Sequence, residues 1–411
     1  MAESIFSRYD RQIWILVAGG LINTFGTSIA YPFVSLYLYE YRGIPMASIG
    51  IALMVAAASG GIVQIVSGEL CDRFGRKIMI NIGLFLQMVS FALLGYAILA
   101  NLGFIDFLLL MVLKEISGGL YRSVPQVMIA DLVEPGERNG AFSLLRIGTN
   151  LGFALGPIFG GILASYSYAV MFMLTAVTSG VYMLISIWML HDTKPVIDPV
   201  EAKAHHVQIW KDNPFLFYCI VGALGSLVYS QLFTTYGTFS GSFVHLSASL
   251  VGLLFSLNGF MVVFFQYPIA RYLERFKLTT SLILGSMLYA AGFAIVGLCT
   301  SFWMLFGTMF IITMGELVVT PSSQTMVAQM APPEARGRYM SVNGFIGNSG
   351  NALGPAIGGQ LMDSYAKNIV MMWLILGTLE VVCAAGYLYL RFHLTSRLDE
   401  LEPIAIAIKH S

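Results

Sequence analysis

Charged side chains occur inside long apolar stretches of this chain, where an unpaired charge is costly in free energy. Glu115 and Arg122 lie in one such stretch, and Glu316 lies in another. Ionisable groups in these positions pair with one another, face a polar interior, or bind ions and substrates. A carboxyl group in surroundings of low dielectric constant favours its neutral form, so it can exchange a proton near neutral pH. The residues therefore predict proton exchange or the binding of a charged ligand.

The spacing of Glu115 and Arg122 places them on one face of a helix. At about 100° per residue, seven residues turn by about 700°, close to two full turns, and rise by about 10 Å. Lys114 lies roughly a quarter of a turn away, toward a neighbouring helix. Charged side chains along one face of a membrane helix are tolerated only if that face lines a polar cavity. Arg146 lies in a further apolar stretch, where it is predicted to partner an acid or an anionic substrate.

Glu316 lies near the middle of its apolar stretch, five residues before Pro321. A cation that arrives beside this carboxyl would favour the ionised form and expel the proton. Competition for one carboxylate would then couple the fluxes of the proton and of the cation. The alternative is a protonated Glu316 that only makes a hydrogen bond across two helices.

The composition indicates that the apolar stretches face lipid. Hydrophobic residues make up 57% of the 411 residues and charged residues only 11%, whereas a soluble domain carries about 25% charged residues. The 22 basic and 22 acidic residues cancel, so the chain offers no basic surface for nucleic acid. We therefore expect a lipid bilayer as a partner and no nucleic acid.

Enzymatic chemistry finds no support in the sequence. The four cysteines are far apart, and they suggest neither a disulfide framework nor a metal site. The six histidines form no nucleophile or metal pattern, and there is no phosphate-binding GxxxxGK[ST] segment. We therefore expect no enzyme activity, no cofactor and no metal.

Twelve apolar windows are long enough to cross a bilayer, which takes about 20 residues. We number them as spans 1 to 12, at residues 12–39, 47–70, 78–100, 104–132, 139–164, 168–190, 214–239, 248–270, 278–299, 302–330, 337–362 and 368–391. If both termini are cytoplasmic, 17 of the 22 Lys and Arg residues fall on the cytoplasmic side, as insertion favours. Short loops and the absence of an N-x-[ST] sequon favour the inner membrane of a prokaryotic cell.

The sequence contains an internal repeat. Residues 126–163 and 324–361 agree at 15 of 38 positions without a gap, at an offset of 198 residues. A repeat at about half the chain length predicts two similar bundles. The predicted organisation is an N-terminal six-helix bundle at 1–190, a cytoplasmic linker at 191–213, a C-terminal six-helix bundle at 214–392 and a cytoplasmic tail at 393–411.

The segment between spans 2 and 3 reads GELCDRFGRK. It fills every fixed position of GxLxDRxGRK, the signature loop of the major facilitator superfamily, which the chain resembles over essentially its whole length. The resemblance implies an all-α membrane fold of two pseudo-symmetric six-helix bundles. It also implies a charge network that latches the outward-open state, for which the candidates are Gly68, Asp72, Arg73, Gly75, Arg76 and Asp131. The alternative is that these charges only set the topology.

Span 5 resembles the drug:proton antiporters of this superfamily. Its segment from Gly152 to Gly161 fits their GxxxGPxxGG motif, in which small residues let helices approach closely. The same motif recurs in span 11, from Gly350 to Gly359, so helix packing kept by the repeat is the alternative. A further antiporter pattern in span 4, LxxxRxxxG, has Lys114 in place of the arginine.

Spans 1, 4, 7 and 10 should line the central cavity, by the same resemblance. Glu316 resembles an acid of span 10 that exchanges protons in certain multidrug antiporters, so Glu316 is the first candidate for proton coupling and Glu115 the second. Glu380 is a weaker candidate because span 12 is peripheral in this fold. The candidate substrate-binding residues are Asn23, Phe25, Tyr31, Arg122, Arg146, Tyr229, Gln231, Tyr236 and Gln324.

The sequence therefore predicts a proton-coupled exporter of amphipathic or drug-like small molecules that works by alternating access. Its expected partners are the small-molecule substrate, protons and the lipid bilayer, and we expect a monomer to suffice. One alternative is a carrier of a small organic anion, with Lys114, Arg122 and Arg146 as the clamp, or a lipid flippase. Another is a sensor or scaffold without transport.

Overall fold

The computed structural model describes residues 9–133, 138–193, 209–273, 275–332 and 336–393. Within these ranges every regular element is a helix, which confirms the prediction of an all-α protein. Helices fill the twelve predicted windows in order: Arg11–Ala30 with Phe33–Leu36, Met46–Phe74, Arg76–Leu99, Phe104–Tyr121 with Val124–Leu132, Arg138–Tyr166, Tyr168–Met189, Asn213–Tyr229 with Thr235–Ser242, Ala248–Leu273, Leu278–Val296, Phe302–Met330, Arg336–Ser364 and Ile369–His393.

Ten of these helical segments, within the described ranges, are long and apolar enough to cross a membrane. The two that fall short of this criterion are spans 4 and 11. Span 4 carries Asp106, Lys114 and Glu115 in its first helix, and span 11 is rich in glycine, serine and asparagine. Both windows are nevertheless helical, span 4 in two consecutive helices, so their polarity marks them as spans that need shielding from lipid.

Spans 1, 4 and 7 are interrupted, although the sequence predicted each of them as one helix. Span 1 is interrupted just before Pro32, and span 4 is interrupted just before Pro125. Proline has no backbone N–H and clashes with the preceding turn, so a helix commonly ends before it. Span 7 changes to a 3₁₀ turn at Ser230–Phe233 without a proline. Interrupted helices expose backbone polar groups that can serve a site in the membrane.

The chain divides into two compact units. Unit 1 contains residues 1–200, 232–263 and 355–364, and unit 2 contains residues 201–231, 264–354 and 365–411. Each has its own apolar core. Core residues of unit 1 include Leu16, Leu84, Met128 and Tyr182, and those of unit 2 include Phe215, Leu282, Met326 and Tyr387. The boundaries of the two predicted six-helix bundles remain a prediction.

The glycines of the repeated motif bring helices into close contact. In unit 1, a Cβ atom on Gly152 would lie 2.5 Å from the carbonyl oxygen of Leu21 in span 1. In unit 2, a Cβ atom on Gly354 would lie 2.6 Å from the carbonyl oxygen of Leu227 in span 7. Backbones this close leave no room for a larger side chain. Both copies of the motif therefore serve helix packing, which is the alternative that the repeat suggested.

Candidate functional site

A cluster of charges lies inside unit 1, where the carboxylate of Glu115 contacts two cations. Its Oε1 atom is 2.5 Å from Nζ of Lys114, and its Oε2 atom is 3.1 Å from a terminal nitrogen of Arg122. Arg122 immediately follows the first helix of span 4, and its long side chain reaches back along the shared face to Glu115. The predicted stripe is therefore one ion-paired cluster. Because both cations stabilise the charged carboxylate, the cluster keeps an excess of one positive charge.

Lys114 also connects span 4 to span 1. Its ammonium nitrogen lies 5.5 Å from the centroid of the Tyr31 ring, a distance at which the ring face attracts a cation. The prediction that Lys114 points toward a neighbouring helix thus omitted its pairing with Glu115. Arg122 has 58% of its side chain exposed. Its guanidinium is therefore the part of the cluster that is most open to a ligand.

The ring of Tyr31, which lies beside the charge cluster, belongs to an aromatic group within unit 1. The exposed ring of Tyr31 lies 5.7 Å from that of Phe233, which lies 5.8 Å from that of Phe153. The ring of Phe25 packs edge to face on Phe159, with centroids 5.3 Å apart. A ring next to a charge and further rings from spans 1, 5 and 7 provide ring faces and apolar area for an amphipathic molecule.

Asn23 takes part in a hydrogen-bond network between helices of unit 1. Its Nδ2 donates to the hydroxyl of Tyr121 at 2.5 Å, and its Oδ1 accepts from Nε2 of Gln87 at 2.9 Å. Gln87 also donates to the hydroxyl of Ser179 at 3.0 Å. All four residues are buried or half-buried. The amide that the sequence predicted to bind substrate is therefore engaged in joining spans 1, 3, 4 and 6.

A different cluster lies in unit 2, around the half-buried Glu316 in the middle of span 10. The phenol of Tyr289, from span 9, is close enough to interact electrostatically with Glu316. The ring of Tyr229, from span 7, lies 5.8 Å from the ring of Tyr289. Tyr289 was missed by sequence analysis, where its only signal was a polar group in an apolar helix. The unit 2 cluster thus combines a carboxyl group with phenols.

The remaining predicted substrate-binding residues divide into buried and exposed groups. Gln231 is buried, and its Nε2 donates to the carbonyl oxygens of Leu227 and Gly354 at 3.0 and 2.7 Å. Tyr236 is also buried, with its ring 6.4 Å from that of Phe255. Both side chains are therefore enclosed by helix packing. Arg146 and Gln324 are exposed, and Arg146 makes no ion pair within the described ranges.

The signature loop is tied to span 4 at its predicted position. Arg76 is 4% exposed, and its Nε atom lies 3.3 Å from a carboxylate oxygen of Asp131. Gly75 has φ of +94°, which turns the chain between spans 2 and 3. Arg73 is exposed, with its guanidinium 5.4 Å from the Phe74 ring. Gly68, which the prediction included, lies in the helix Met46–Phe74, and the side chain of Asp72 lies outside the described part of the structure.

Two residues just after span 6 complete this contact, and sequence analysis placed them in the linker. The carboxylate of Asp192 accepts from the backbone N–H groups of Arg76 and Lys77 at 2.8 and 3.1 Å. The hydroxyl of Thr193 donates to Asp131 at 2.9 Å. Asp192 therefore caps the N-terminus of span 3, where the helix dipole favours an acid. The sequence signal for this contact was an acidic residue directly after span 6, which could pair with the basic loop between spans 2 and 3.

Asp363 makes a related contact between spans 11 and 2 within unit 1. Its two carboxylate oxygens accept from the backbone N–H groups of Met46 and Ala47 at 3.0 and 2.7 Å. These groups begin the 29-residue helix of span 2, so the acid satisfies unpaired donors and interacts with the helix dipole. Gly359 packs against Met46 beside it. Under the predicted topology this contact lies at the extracellular ends of both spans.

Comparisons with known proteins agree with this fold. The family model of the Major Facilitator Superfamily matches residues 16–247 and 238–409. The MFS-type transporter YqjV of Bacillus subtilis is 25% identical over 359 residues, which are 86% of this chain and 86% of that protein. The multidrug resistance protein MdtH of Photorhabdus laumondii is 27% identical over 379 residues, covering 90% of this chain and 92% of that protein.

Solved transporter structures share the fold at low sequence identity. A crystal structure of the peptide transporter POT in complex with sulfate has a TM-score of 0.76 and 18% identity, covering 97% of each chain. The nucleoside transporter NupG has a TM-score of 0.77 and 14% identity, covering 94% of this chain and 100% of that chain. These similarities confirm the predicted major facilitator architecture, and at this identity they speak to the fold alone.

Proposed function

Because the chain belongs to the Major Facilitator Superfamily, whose members are membrane transporters, we propose that it exports amphipathic or drug-like small molecules in exchange for protons. Relatives that span most of its length are named multidrug resistance proteins. The observation that carries the proposal is Glu316, a half-buried acid in the middle of span 10 that lies within electrostatic range of the phenol of Tyr289. A carboxyl group in such a position suits proton exchange.

Glu316 and Glu115 have different roles in this proposal. Glu115 is held by Lys114 and Arg122, so it remains a fixed charge that positions the guanidinium of Arg122. Glu316 exchanges the proton, because a cation that arrives beside it displaces the proton from the carboxyl group. Competition for this one group couples the two fluxes as the transporter alternates its access.

Active transport in proteoliposomes tests the coupling. We expect wild-type protein to move ethidium against its gradient when a proton gradient is imposed. Glu316→Gln should abolish this uphill movement while ethidium still exchanges between equal concentrations, because a neutral amide cannot release a proton. Asp106→Asn, at an exposed acid where span 4 begins, is the matched control and should behave like the wild type. Uphill transport by Glu316→Gln would contradict the proposed mechanism.

A carrier of a small organic anion is the second candidate, because the unit 1 cluster has an excess positive charge and an exposed Arg122. Glu115 already neutralises one of the two positive charges of the cluster, so less positive charge is available to an anionic ligand. Binding of ethidium and of benzoate to the purified protein in detergent separates the two. We expect ethidium to bind and benzoate not to bind, whereas tight binding of benzoate that Arg122→Gln removes would favour the anion carrier.

We also propose the orientation, the location and the oligomeric state of the protein. Both termini face the cytoplasm of a cell whose inner membrane holds the protein, and a monomer suffices for transport. The excess of Lys and Arg on one side supports the orientation. A reporter that is active only in the cytoplasm, fused after residue 411, should therefore be active, and a periplasmic reporter at the same place should be inactive.

A further inference from the structure

The contact between Asp363 and span 2 joins segments that the sequence assigns to different bundles. Span 2 belongs to the predicted N-terminal bundle, and span 11 belongs to the predicted C-terminal bundle. Within unit 1, however, the carboxylate of Asp363 at the end of span 11 accepts from the backbone N–H groups of Met46 and Ala47. A transporter that alternates its access by moving one bundle against the other must break such a contact in each cycle.

Spans 2 and 11 are also in backbone contact next to this carboxylate. Pro355, Gly359 and Asp363 follow at intervals of four residues, so they share one face of span 11 over about two turns. A Cβ atom on Gly359 would lie 2.2 Å from the carbonyl oxygen of Met46. A Cβ atom on Gly50 would lie 2.0 Å from the carbonyl oxygen of Pro355. The hydrogen bonds of Asp363 therefore end a continuous, close contact between the two helices.

The start of span 2 depends on Asp363 for its cap. The residue before the helix is Pro45, which makes no side-chain capping hydrogen bond, and the first turn contains no acid. The first N–H groups of an α-helix have no partner inside the helix. A carboxylate at this position accepts from them and interacts favourably with the positive end of the helix dipole. The acid therefore stabilises the state in which spans 2 and 11 are together.

A related contact joins spans 5 and 8 in unit 1. Gly161 of span 5 occupies the repeat position of Gly359, 198 residues earlier. A Cβ atom on Gly161 would lie 2.5 Å from the carbonyl oxygen of Ala248, where span 8 begins. The hydroxyl of Ser249 donates to the carbonyl oxygen of Gly161 at 3.3 Å. The repeat therefore forms two similar contacts, which lie on the extracellular side under the proposed topology.

The two contacts differ in charge. Ser165 occupies the repeat position of Asp363, and its hydroxyl donates to the carbonyl oxygen of Ile162 in its own helix at 2.6 Å. The start of span 8 is capped by Ser247, whose hydroxyl accepts from the N–H group of Leu250 at 3.4 Å. Span 8 therefore keeps its cap when spans 5 and 8 separate. Span 2 loses its cap when spans 2 and 11 separate.

We propose that Asp363 is an extracellular latch, which holds spans 2 and 11 together and must be released each time the transporter opens outward. This inference rests on the proposed alternating access and topology, and it does not depend on proton exchange at Glu316. It predicts that removal of the charge shifts the protein toward the outward-open state, so that both contacts open more often. An acid that only caps span 2 would affect the start of span 2 alone.

Hydrogen–deuterium exchange of the purified protein in detergent, measured by mass spectrometry, tests the latch. The peptides of interest contain residues 46–50 at the start of span 2 and residues 248–252 at the start of span 8. We expect Asp363→Asn to speed exchange in both peptides by about two- to fivefold, because the charge favours the closed state by roughly this factor. Faster exchange in the first peptide alone, or in neither, would overturn the latch.

Asp106→Asn is the matched control for this measurement. The carboxylate of Asp106 accepts from the N–H group of Gly103, so this acid caps the helix to which it belongs. Its replacement by asparagine removes one negative charge at the start of a span without touching the contact between spans 2 and 11. Exchange in both peptides should therefore stay at the wild-type rate.

Gly359→Ala tests the same contact without changing the acid, and it replaces Asp363→Asn if that variant does not fold. The added Cβ atom would press on the carbonyl group of Met46, so spans 2 and 11 must move apart and exchange should become faster in both peptides. Unchanged exchange would again overturn the latch. A failure of the proposed function gives a different result, because uphill transport by Glu316→Gln would refute proton coupling there and leave the exchange results unaffected.

Discussion

The acids of unit 1 and unit 2 inside the membrane spans are neutralised in different ways. In unit 1, Glu115 contacts two cations and Asp131 contacts Arg76, while Asp363 accepts from the N-terminal N–H groups of span 2. In unit 2, Glu380 is fully buried with no cation in the described part of the chain. A paired carboxylate is a fixed structural charge, whereas an enclosed carboxyl group without a cation depends on a proton.

The charged groups of the two units therefore have different roles. The ion-paired charges of unit 1 hold helices together, and in the proposed mechanism they keep Arg122 available to a ligand. In the same mechanism Glu316 of unit 2 changes its charge during the cycle. The proposal therefore places ligand binding and proton coupling on differently neutralised groups.

The largest expected effect is on thermal stability, where the same change of Glu to Gln should act differently in the two units. Glu115→Gln leaves Lys114 and Arg122 next to each other without an anion, at a cost of about 1–3 kcal/mol. We expect the unfolding midpoint in detergent to fall by about 5 °C. Glu380→Gln replaces a neutral acid by a neutral amide of the same shape and should shift the midpoint by about 1 °C or less. If the unfolding midpoint fell equally in both variants, the two acids would not differ in how they are neutralised.

Breaking the contact between Arg76 and Asp131 should have the next largest effect. Arg76→Gln leaves the carboxylate of Asp131 without its cation in a mostly buried position, at a cost of about 1–2 kcal/mol. Adding Asp131→Asn should restore part of the lost stability, because the stranded charge is then also removed. A double variant whose loss equals the sum of the single losses would show that this pair is not coupled.

Asp363→Asn should destabilise the protein less, by about 0.5–1 kcal/mol. Asparagine still accepts a hydrogen bond from the start of span 2, but it lacks the charge that interacts with the helix dipole. Asp363→Ala removes both contributions and should cost more. Thermal unfolding of the two variants gives the order, and a larger loss in the asparagine variant would contradict the capping role.

The smallest effect on stability is expected for Tyr289→Phe, which keeps the ring and its contact with Tyr229. Removing the hydroxyl should slow proton release from Glu316 on substrate binding without changing the number of protons released, because the polar group near this carboxyl group is lost while the acid itself remains. Stopped-flow mixing with ethidium and a pH-sensitive dye measures both the rate and the amplitude. An unchanged rate would show that the phenol takes no part in proton release from Glu316.

The sequence predicted the parts of this structure that depend on long apolar runs and on local motifs. Twelve windows of about 20 apolar residues gave the spans, and the signature loop placed Arg76 beside Asp131. Helical spacing also predicted the shared face of Glu115 and Arg122. Each of these features depends on residues that are close in sequence or on one repeated pattern.

Other features depend on which way a polar side chain faces, and hydrophobic periodicity is weak when a helix is apolar on every side. Gln231 was predicted in the cavity but is buried against backbone carbonyl groups. Glu380 was ranked low because span 12 is peripheral, yet it faces inward to spans 7 and 9. Asp192 contacts Arg76, which lies 116 positions earlier, and no local pattern shows such a contact.

Proton release on substrate binding is the most direct test of the claim that unit 2 couples protons while the unit 1 acid is fixed. Purified wild type, Glu316→Gln and Glu115→Gln are each titrated with ethidium at a concentration that saturates binding. The account predicts that Glu115→Gln still releases protons and that Glu316→Gln loses the release from position 316. Release that persists unchanged in Glu316→Gln, or that disappears only in Glu115→Gln, would contradict it.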